Sequence, residues 1–508
     1  MGGKKITVSL GCIIASMSRN RIILVTIGIM LSLFLASMEA TVVATAMPTI
    51  VGQLGGLEHY SWVFSAYMLA STTTVPLYGK LSDIYGRRKV YLFAMTLFLI
   101  GSILCGQAQT MTQLVLARAL QGLGAGGVMP LAFILIGEMF TLEQRAKMQG
   151  FFSGVWGVSS IAGPLLGGFI VDRLSWEWVF YVNIAPGLIA AGLVGFGWKD
   201  QIQRQGRAVV DYAGAILLSA AVVALLLGLT GVDFGSSASL ILIGVSIVLF
   251  AALTWVESRA ADPILPISLF RRDRLFTIAI LHGVFAGWAL FGSISFIPLF
   301  VQTVLGTSAT QAGITITPIL MGWVAASIIG ARILLKVGYY RLTFFGTSLL
   351  VIGAFLMSRV GADTSHTLLM VFVSLMGIGM GFSIPPFLIA VQTTVERRLL
   401  GTATSTMQFS RSIGGTIGVS VMGAALTMRL ASNLNASGLN PELVSQLLEP
   451  SSAIQTVLDE GLRLALANAI HLVFVIALVA AVLAFVTVFF TPRIDLRDKP
   501  AAAAVSAD

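Results

Sequence analysis

The chain has 508 residues, of which 56% are hydrophobic and 10% charged, with a net charge of +9. Soluble domains carry about 25% charged residues, so the composition excludes a water-soluble fold and points to an all-α protein that crosses a membrane many times. The basic excess lies in short connections, not in one patch, which argues for membrane orientation over nucleic-acid binding. Two cysteines, Cys12 and Cys105, exclude a disulfide framework.

A helical span needs about 20 mostly apolar residues. Residues 1–21 carry Lys4, Lys5, Arg19 and Arg21 and read as a short N-terminal segment without a cleavable leader. Segments at 22–44, 60–79, 90–107, 111–136, 148–170 and 177–197 then form a first set of six within 22–198. The stretch 199–257 begins with basic residues from Lys199 to Arg207 and holds two more segments, 211–231 and 237–256. A polar connection, 258–274, contains Arg259, Arg271, Arg272 and Arg274. Residues 275–331 hold no Asp, Glu, Lys or Arg, are too long for one span, and fit two, near 275–300 and 311–331. Segments near 342–359, 366–390, 401–427 and 464–490 complete a second set of six within 275–491. The connection 428–462 is long enough for short interfacial helices, and the tail 492–508 reads as disordered. The expected architecture is an all-α polytopic membrane protein: two six-helix bundles plus two additional transmembrane helices, fourteen spans in all.

The densest charged cluster is Gly79-Lys80-Leu81-Ser82-Asp83-Ile84-Tyr85-Gly86-Arg87-Arg88-Lys89, read as a turn between two spans. Its bases place it on the cytoplasmic side. Alternating the remaining segments puts most other Lys and Arg on that side too, and both termini in the cytoplasm of a plasma-membrane protein. Solubility does not explain the acid among the bases. Asp83 is suited to capping a helix end or pairing with Arg87, which makes Gly79, Asp83, Gly86, Arg87 and Arg88 a candidate cytoplasmic gate. A faded copy follows the second span of the second set: Arg332 precedes Gly338 by the interval that separates Lys80 from Gly86, with Leu335 where the acid would stand. Repeated halves are a common transporter plan, with substrate bound between them.

Glu39 lies inside the first span, where an ionised side chain is expensive and usually faces a cavity, a partner or a proton route. Proton coupling, structural pairing and a boundary position facing water are all compatible with it. Arg118, early in the fourth span, needs acceptors: backbone carbonyls and water, or a carboxylate. Gly157, Gly163, Pro164, Gly167 and Gly168 in the fifth span favour tight, slidable packing and bending. Trp156, Trp288, Phe291, Phe296, Phe387, Gln302, Gln408 and the intramembrane Arg411 are candidates for a broad, largely apolar pocket. His282 and His471 are isolated, and no cluster has the make-up of a metal site or a nucleophilic triad, so neither cofactor nor enzymatic activity is expected.

These motifs resemble the major facilitator superfamily, specifically its fourteen-span drug:proton antiporters, over about residues 20–490. Gly79 to Lys89 is similar to the signature between spans two and three. Arg118 with Gln121, Gly122 and Gly126 is similar to the span-four basic motif. Gly163-Pro164-Leu165-Leu166-Gly167-Gly168 resembles the span-five antiporter motif, which implies export. Trp176-Glu177-Trp178-Val179-Phe180-Tyr181-Val182-Asn183-Ile184 resembles the span-six pattern of the fourteen-span group. One departure is Glu39, where the family usually has aspartate. The resemblance implies alternating access in a monomer among membrane lipids, exporting amphiphilic or hydrophobic compounds against proton entry, with Glu39 and Arg118 in the coupling. Export of lipids or other endogenous amphiphiles is the alternative, and sodium remains open as the coupling ion.

Overall fold

The structure is a computed structural model that describes residues 18–55, 60–200, 211–231, 236–260, 263, 265, 267–307, 309–361, 363–436 and 460–494. Every regular element among them is helical. The first part comprises α1 (Arg19–Leu54), α2 (Tyr60–Tyr85), α3 (Arg87–Gly106), α4 (Met111–Met139), α5 (Leu142–Arg173) and α6 (Ile184–Gly197), with a helical turn at Trp178–Tyr181 before α6. Next come α7 (Tyr212–Leu226), continued by a π-helical turn at Leu227–Gly231, and α8 (Ser237–Glu257). A short helix at Ile267–Arg272 leads to α9 (Arg274–Thr303), α10 (Ala309–Val337), α11 (Tyr339–Met357), α12 (His366–Thr394), α13 (Leu400–Ala436) and α14 (Glu460–Phe489).

Among the described residues, 11 helices are long and apolar enough to cross a membrane. Helices α2, α5 and α7 fall outside that set. Ser and Thr dilute the apolar character of α2, α7 is short, and several side chains of α5 lie outside the described residues. Large apolar side chains cover the outer surface, with Phe196 85% exposed, an arrangement suited to hydrocarbon as the surrounding solvent.

Two sequence expectations need correction. The cluster at Gly79–Lys89 is not a turn: α2 continues through Tyr85, α3 starts at Arg87, and Gly86 alone reverses the chain at φ 99°. Gly338 does the same between α10 and α11 at φ 85°. Only glycine enters that region freely, so one residue replaces a loop, and the repeat seen in sequence recurs in the backbone. The second correction concerns the long connection at 428–462, which begins as helix, because α13 extends to Ala436. Its centre, 437–459, lies outside the described residues, as do 1–17, most of the basic linker and the tail from 495.

Within the first part α4 packs on α2 and α3, and α1 on α5 and α6; within the last, α12 packs on α10 and α11, and α9 on α13 and α14. The two groups meet along two seams, α2 with α13 and α5 with α10. Helices α7 and α8 pair with each other. Leu218, Val222 and Leu226 of α7 share an apolar cluster with Val75 of α2 and Phe409 and Ile413 of α13, so the inserted pair lies over one seam only.

Close backbone approach sets the helix positions around α4. A Cβ on Gly124 would lie 2.2 Å from the Phe98 nitrogen, whereas one on Gly154 would meet nothing within 4 Å. Gly124→Val is therefore expected to destabilise the purified protein by about 1–3 kcal/mol, as overpacking does, while Gly154→Val leaves its thermal melting temperature near that of wild type. Thermal melts of the two variants in detergent check the contrast.

Candidate functional site

Glu39 is 1% exposed, and α4 turns Arg118 and Gln121 toward it from one helical face. Arg118 Nη1 donates to Glu39 Oε1 at 2.6 Å, and Gln121 Nε2 donates to the same oxygen at 2.9 Å. The other oxygen, Oε2, accepts from Asn183 Nδ2 at 2.6 Å. Gln121 is itself held by Ser102 Oγ at 2.8 Å and accepts from Arg118 at 2.6 Å. Arg118 Nε donates to the Val63 carbonyl at 3.2 Å, and its guanidinium carbon lies 4.1 Å from the centroid of the Tyr67 ring. Buried charges persist when paired and hydrogen-bonded, and both oxygens of this carboxylate have donors. Arg118 thus uses a backbone carbonyl and a carboxylate together.

The glycines explain how these groups reach one another. A Cβ on Gly122 would lie 2.5 Å from the Tyr67 carbonyl, and one on Gly101 2.4 Å from Gln121 Cα. Their absence lets α2 and α3 press onto α4. Sequence reasoning did not assign Tyr67, Ser102 or Asn183 to this cluster. Asn183 carried a signal, because it lies in the Trp176–Ile184 stretch; Tyr67 and Ser102 carried none, since pairing across helices sets their roles.

A second polar cluster joins the two helix groups at the end marked by Gly86. Asp83 pairs with Arg87 Nη1 at 2.5 Å, and Arg87 Nη2 reaches Glu138 of α4 at 2.9 Å. The Asp83 carboxylate also accepts from the backbone nitrogens of Gly401 at 3.1 Å and Thr402 at 2.9 Å, and from the Thr402 hydroxyl at 2.8 Å. These are first-turn donors of α13, so Asp83 caps that helix from another one. Gly79 makes room: a Cβ there would lie 2.0 Å from Ser405 Oγ. The Arg88 side chain is exposed, while its backbone nitrogen donates to Asp200 at 3.2 Å. Arg145, which sequence reasoning treated only as a topological charge, is buried and donates to the Gln392 carbonyl of α12 at 3.3 Å. Gln392 in turn donates to the Phe133 carbonyl and to Thr404 Oγ1, each at 3.3 Å.

Helix α5 runs unbroken through Pro164. A Cβ on Gly157 would be 3.1 Å from Val324 of α10, so this glycine lies on the α5–α10 seam. Gly163 and Gly167 are buried, and a Cβ on Gly168 would meet open space. Between the groups lies a cavity of about 60 Å³ bordered by Trp156, Phe291 and Arg411, next to one of about 20 Å³ bordered by Phe387, Gln408 and Arg411. Trp288 and Phe296 line neither: their rings face Gly418 and Gly423 of α13. They belong to packing within the last group, because the α13 glycines leave hollows that these rings fill. The side chain of Gln302 lies outside the described residues. A larger groove, about 950 Å³, opens between α1, α5 and α10, with Met30, Phe34, Phe151 and Gly154 on its wall and Lys147 and Arg332 at one end.

Apolar outer faces, an ion pair sealed among helices and two helix groups meeting around a small central cavity define a membrane transporter. Residues 29–419 match the Major Facilitator Superfamily, and the chain belongs to it. It is 40% identical over 437 residues to the multidrug transporter protein MdtP of Bacillus subtilis (strain 168), covering 85% of this chain and 80% of that one. It is 37% identical over 484 residues to multidrug resistance protein 3 of the same organism, covering 92% and 94%. Among solved structures, the human organic anion transporter MFSD10 superposes with a TM-score of 0.58 at 16% identity over 91% of this chain and 99% of that one. The proton:xylose symporter XylE superposes with a TM-score of 0.61 at 14% identity over 93% and 96%. The protein is accordingly a secondary active transporter of small molecules and not an enzyme.

Removing the Asp83 carboxylate is expected to separate the groups at this end. Spin labels at the exposed positions Tyr85 and Arg398 should show a new long-distance population in Asp83→Ala. Asp83→Asn should produce a smaller one, because asparagine still accepts from a helix start.

Proposed function

We propose that this protein exports amphiphilic or hydrophobic small molecules in exchange for protons, through a plasma membrane crossed fourteen times with both termini in the cytoplasm. The observation that carries this reading is Glu39, a carboxylate sealed inside the helices with donors on both oxygens. Protonation would cancel the charge that balances Arg118 and so change the relative energy of two arrangements. A ligand that discriminates between arrangements shifts their populations. Asn183 suits both forms of the acid: its Nδ2 donates to the carboxylate, and its buried Oδ1, otherwise unbonded, accepts from the protonated form after amide rotation.

In this reading residues 22–198 and 275–491 are two six-helix bundles that rock about the central cavity. The contacts of Asp83, Arg87 and Arg145 hold the cytoplasmic side shut. Gly157, Gly163, Pro164, Gly167 and Gly168 supply the smooth face on which α5 moves. The multidrug names of both Bacillus relatives support the substrate class. The test is purified protein in vesicles with a trapped pH dye. Adding an amphiphilic compound is expected to drive proton movement with wild type and none with Glu39→Gln. Substrate movement without proton flux, or flux that survives Glu39→Gln, would refute the proposal.

The groove between α1, α5 and α10 supports a second reading, in which lipids or lipid-like molecules are the cargo. Ile27, Phe151 and Val158 on its wall are exposed, so it offers a side entrance from the bilayer. On this reading Gly154→Trp, which fills the groove, slows the movement of a fluorescent phospholipid in vesicles. Unchanged lipid movement would remove this reading.

A further inference from the structure

Arg118 and Arg411, the two arginines within the expected spans, differ in how they are satisfied. Arg118 has a carboxylate, an amide and a carbonyl. Arg411, on α13, has no carboxylate within ion-pairing distance among the described residues, and its guanidinium carbon lies 5.8 Å from the centroid of the Trp323 ring. It borders both central cavities. One turn earlier, Gln408 is 6% exposed, borders the smaller of them, and has an amide nitrogen without a hydrogen-bond partner. Arg411 thus links a cavity walled by Trp156, Phe291 and Trp323 to the smaller one that Gln408 borders, and neither donor group has a carboxylate partner among the described residues. Buried polar groups are otherwise nearly always satisfied.

We propose that Arg411 and Gln408 form an anion subsite in the central cavity, which takes the carboxylate of an aromatic acid. The inference deepens the transport reading above, on which it rests, by naming a substrate class. A guanidinium presents a planar fork of donors that matches a carboxylate. Gln408, on the same helical face, adds an N–H to the same oxygens, and the indole and phenyl walls take the ring. Glu39 does not compete, because its oxygens are committed to Arg118, Gln121 and Asn183. The cavities are about 60 and 20 Å³, too small for an aromatic acid, so the ligand enters when the helix groups part.

The experiment uses the full chain in detergent and reads energy transfer from tryptophan to a bound dansyl group. Dansyl-glycine, dansyl-glycinamide and the cationic dansyl-ethylenediamine share one ring system and differ in charge. Wild type should bind the acid about tenfold or more tighter than the amide, the difference that hydrogen bonds to a charged group provide, and should bind the cation weakest. Arg411→Gln should bring the affinities for acid and amide together. Arg411→Lys, which keeps the charge but loses the fork, should retain part of the preference, and Gln408→Leu should reduce it. Equal affinity for acid and amide in wild type, a preference that survives Arg411→Gln, tighter binding of the cation, or no binding of dansyl-glycine would each overturn the proposal. Binding is read without a proton gradient, so loss of proton coupling in the vesicle assay leaves this result standing, and the reverse holds too.

Discussion

An ionised carboxylate inside a helical membrane protein must find its partners within the protein, and the first part of this chain is arranged around that demand. Glu39 on α1 needs donors, and they come from α4 and from Asn183 at the start of α6. Arg118 needs more than one acceptor, and α2 provides a carbonyl and an aromatic face. Each requirement draws another helix close, and Gly101 and Gly122 make the approaches possible. The polar cluster thus ties four helices together at one point.

The two seams between the helix groups are treated unequally. The α2–α13 seam is bonded through Asp83 at one end and covered by α7 along its flank. Along the α5–α10 seam, by contrast, a wide apolar groove flanks the contact. The pair α7 and α8 therefore makes the two seams unequal toward their surroundings. Any side access to the interior favours the α5–α10 flank.

Much of this was legible in the sequence because membrane helices announce themselves by length and hydropathy, and because a charge inside such a segment is rare. Glu39 and Arg118 stood out for that reason, and Asp83 as the one acid in the densest basic cluster. The repeat was visible through Gly86 and Gly338, whose backbone conformation leaves glycine little competition. What stayed hidden was pairing between helices. Nothing near Tyr67 or Ser102 in the chain signals Arg118 or Gln121, and Arg145 looked like one more topological base. Aromatic residues were the least readable: Trp156 and Phe291 border the cavity while Trp288 and Phe296 fill hollows in α13, and the four are indistinguishable by composition. Also hidden was the continuation of α13 beyond its apolar stretch to at least Ala436, because polar residues such as Ser432, Asn433 and Asn435 do not by themselves break a helix.

The starts of α5 and α13 show what the missing acid of the second repeat means. Helix α5 satisfies its own first turn with the reciprocal Thr141 and Gln144 bonds. Before α13 stands Leu399, which has no side-chain acceptor, and Asp83 provides one from the opposite group. A cap of this kind is worth about 1 kcal/mol. Parting the groups leaves the amides of Gly401 and Thr402 bare, while α5 keeps its own cap. Solvent exchange at those two amides would therefore report any separation of the groups at this end.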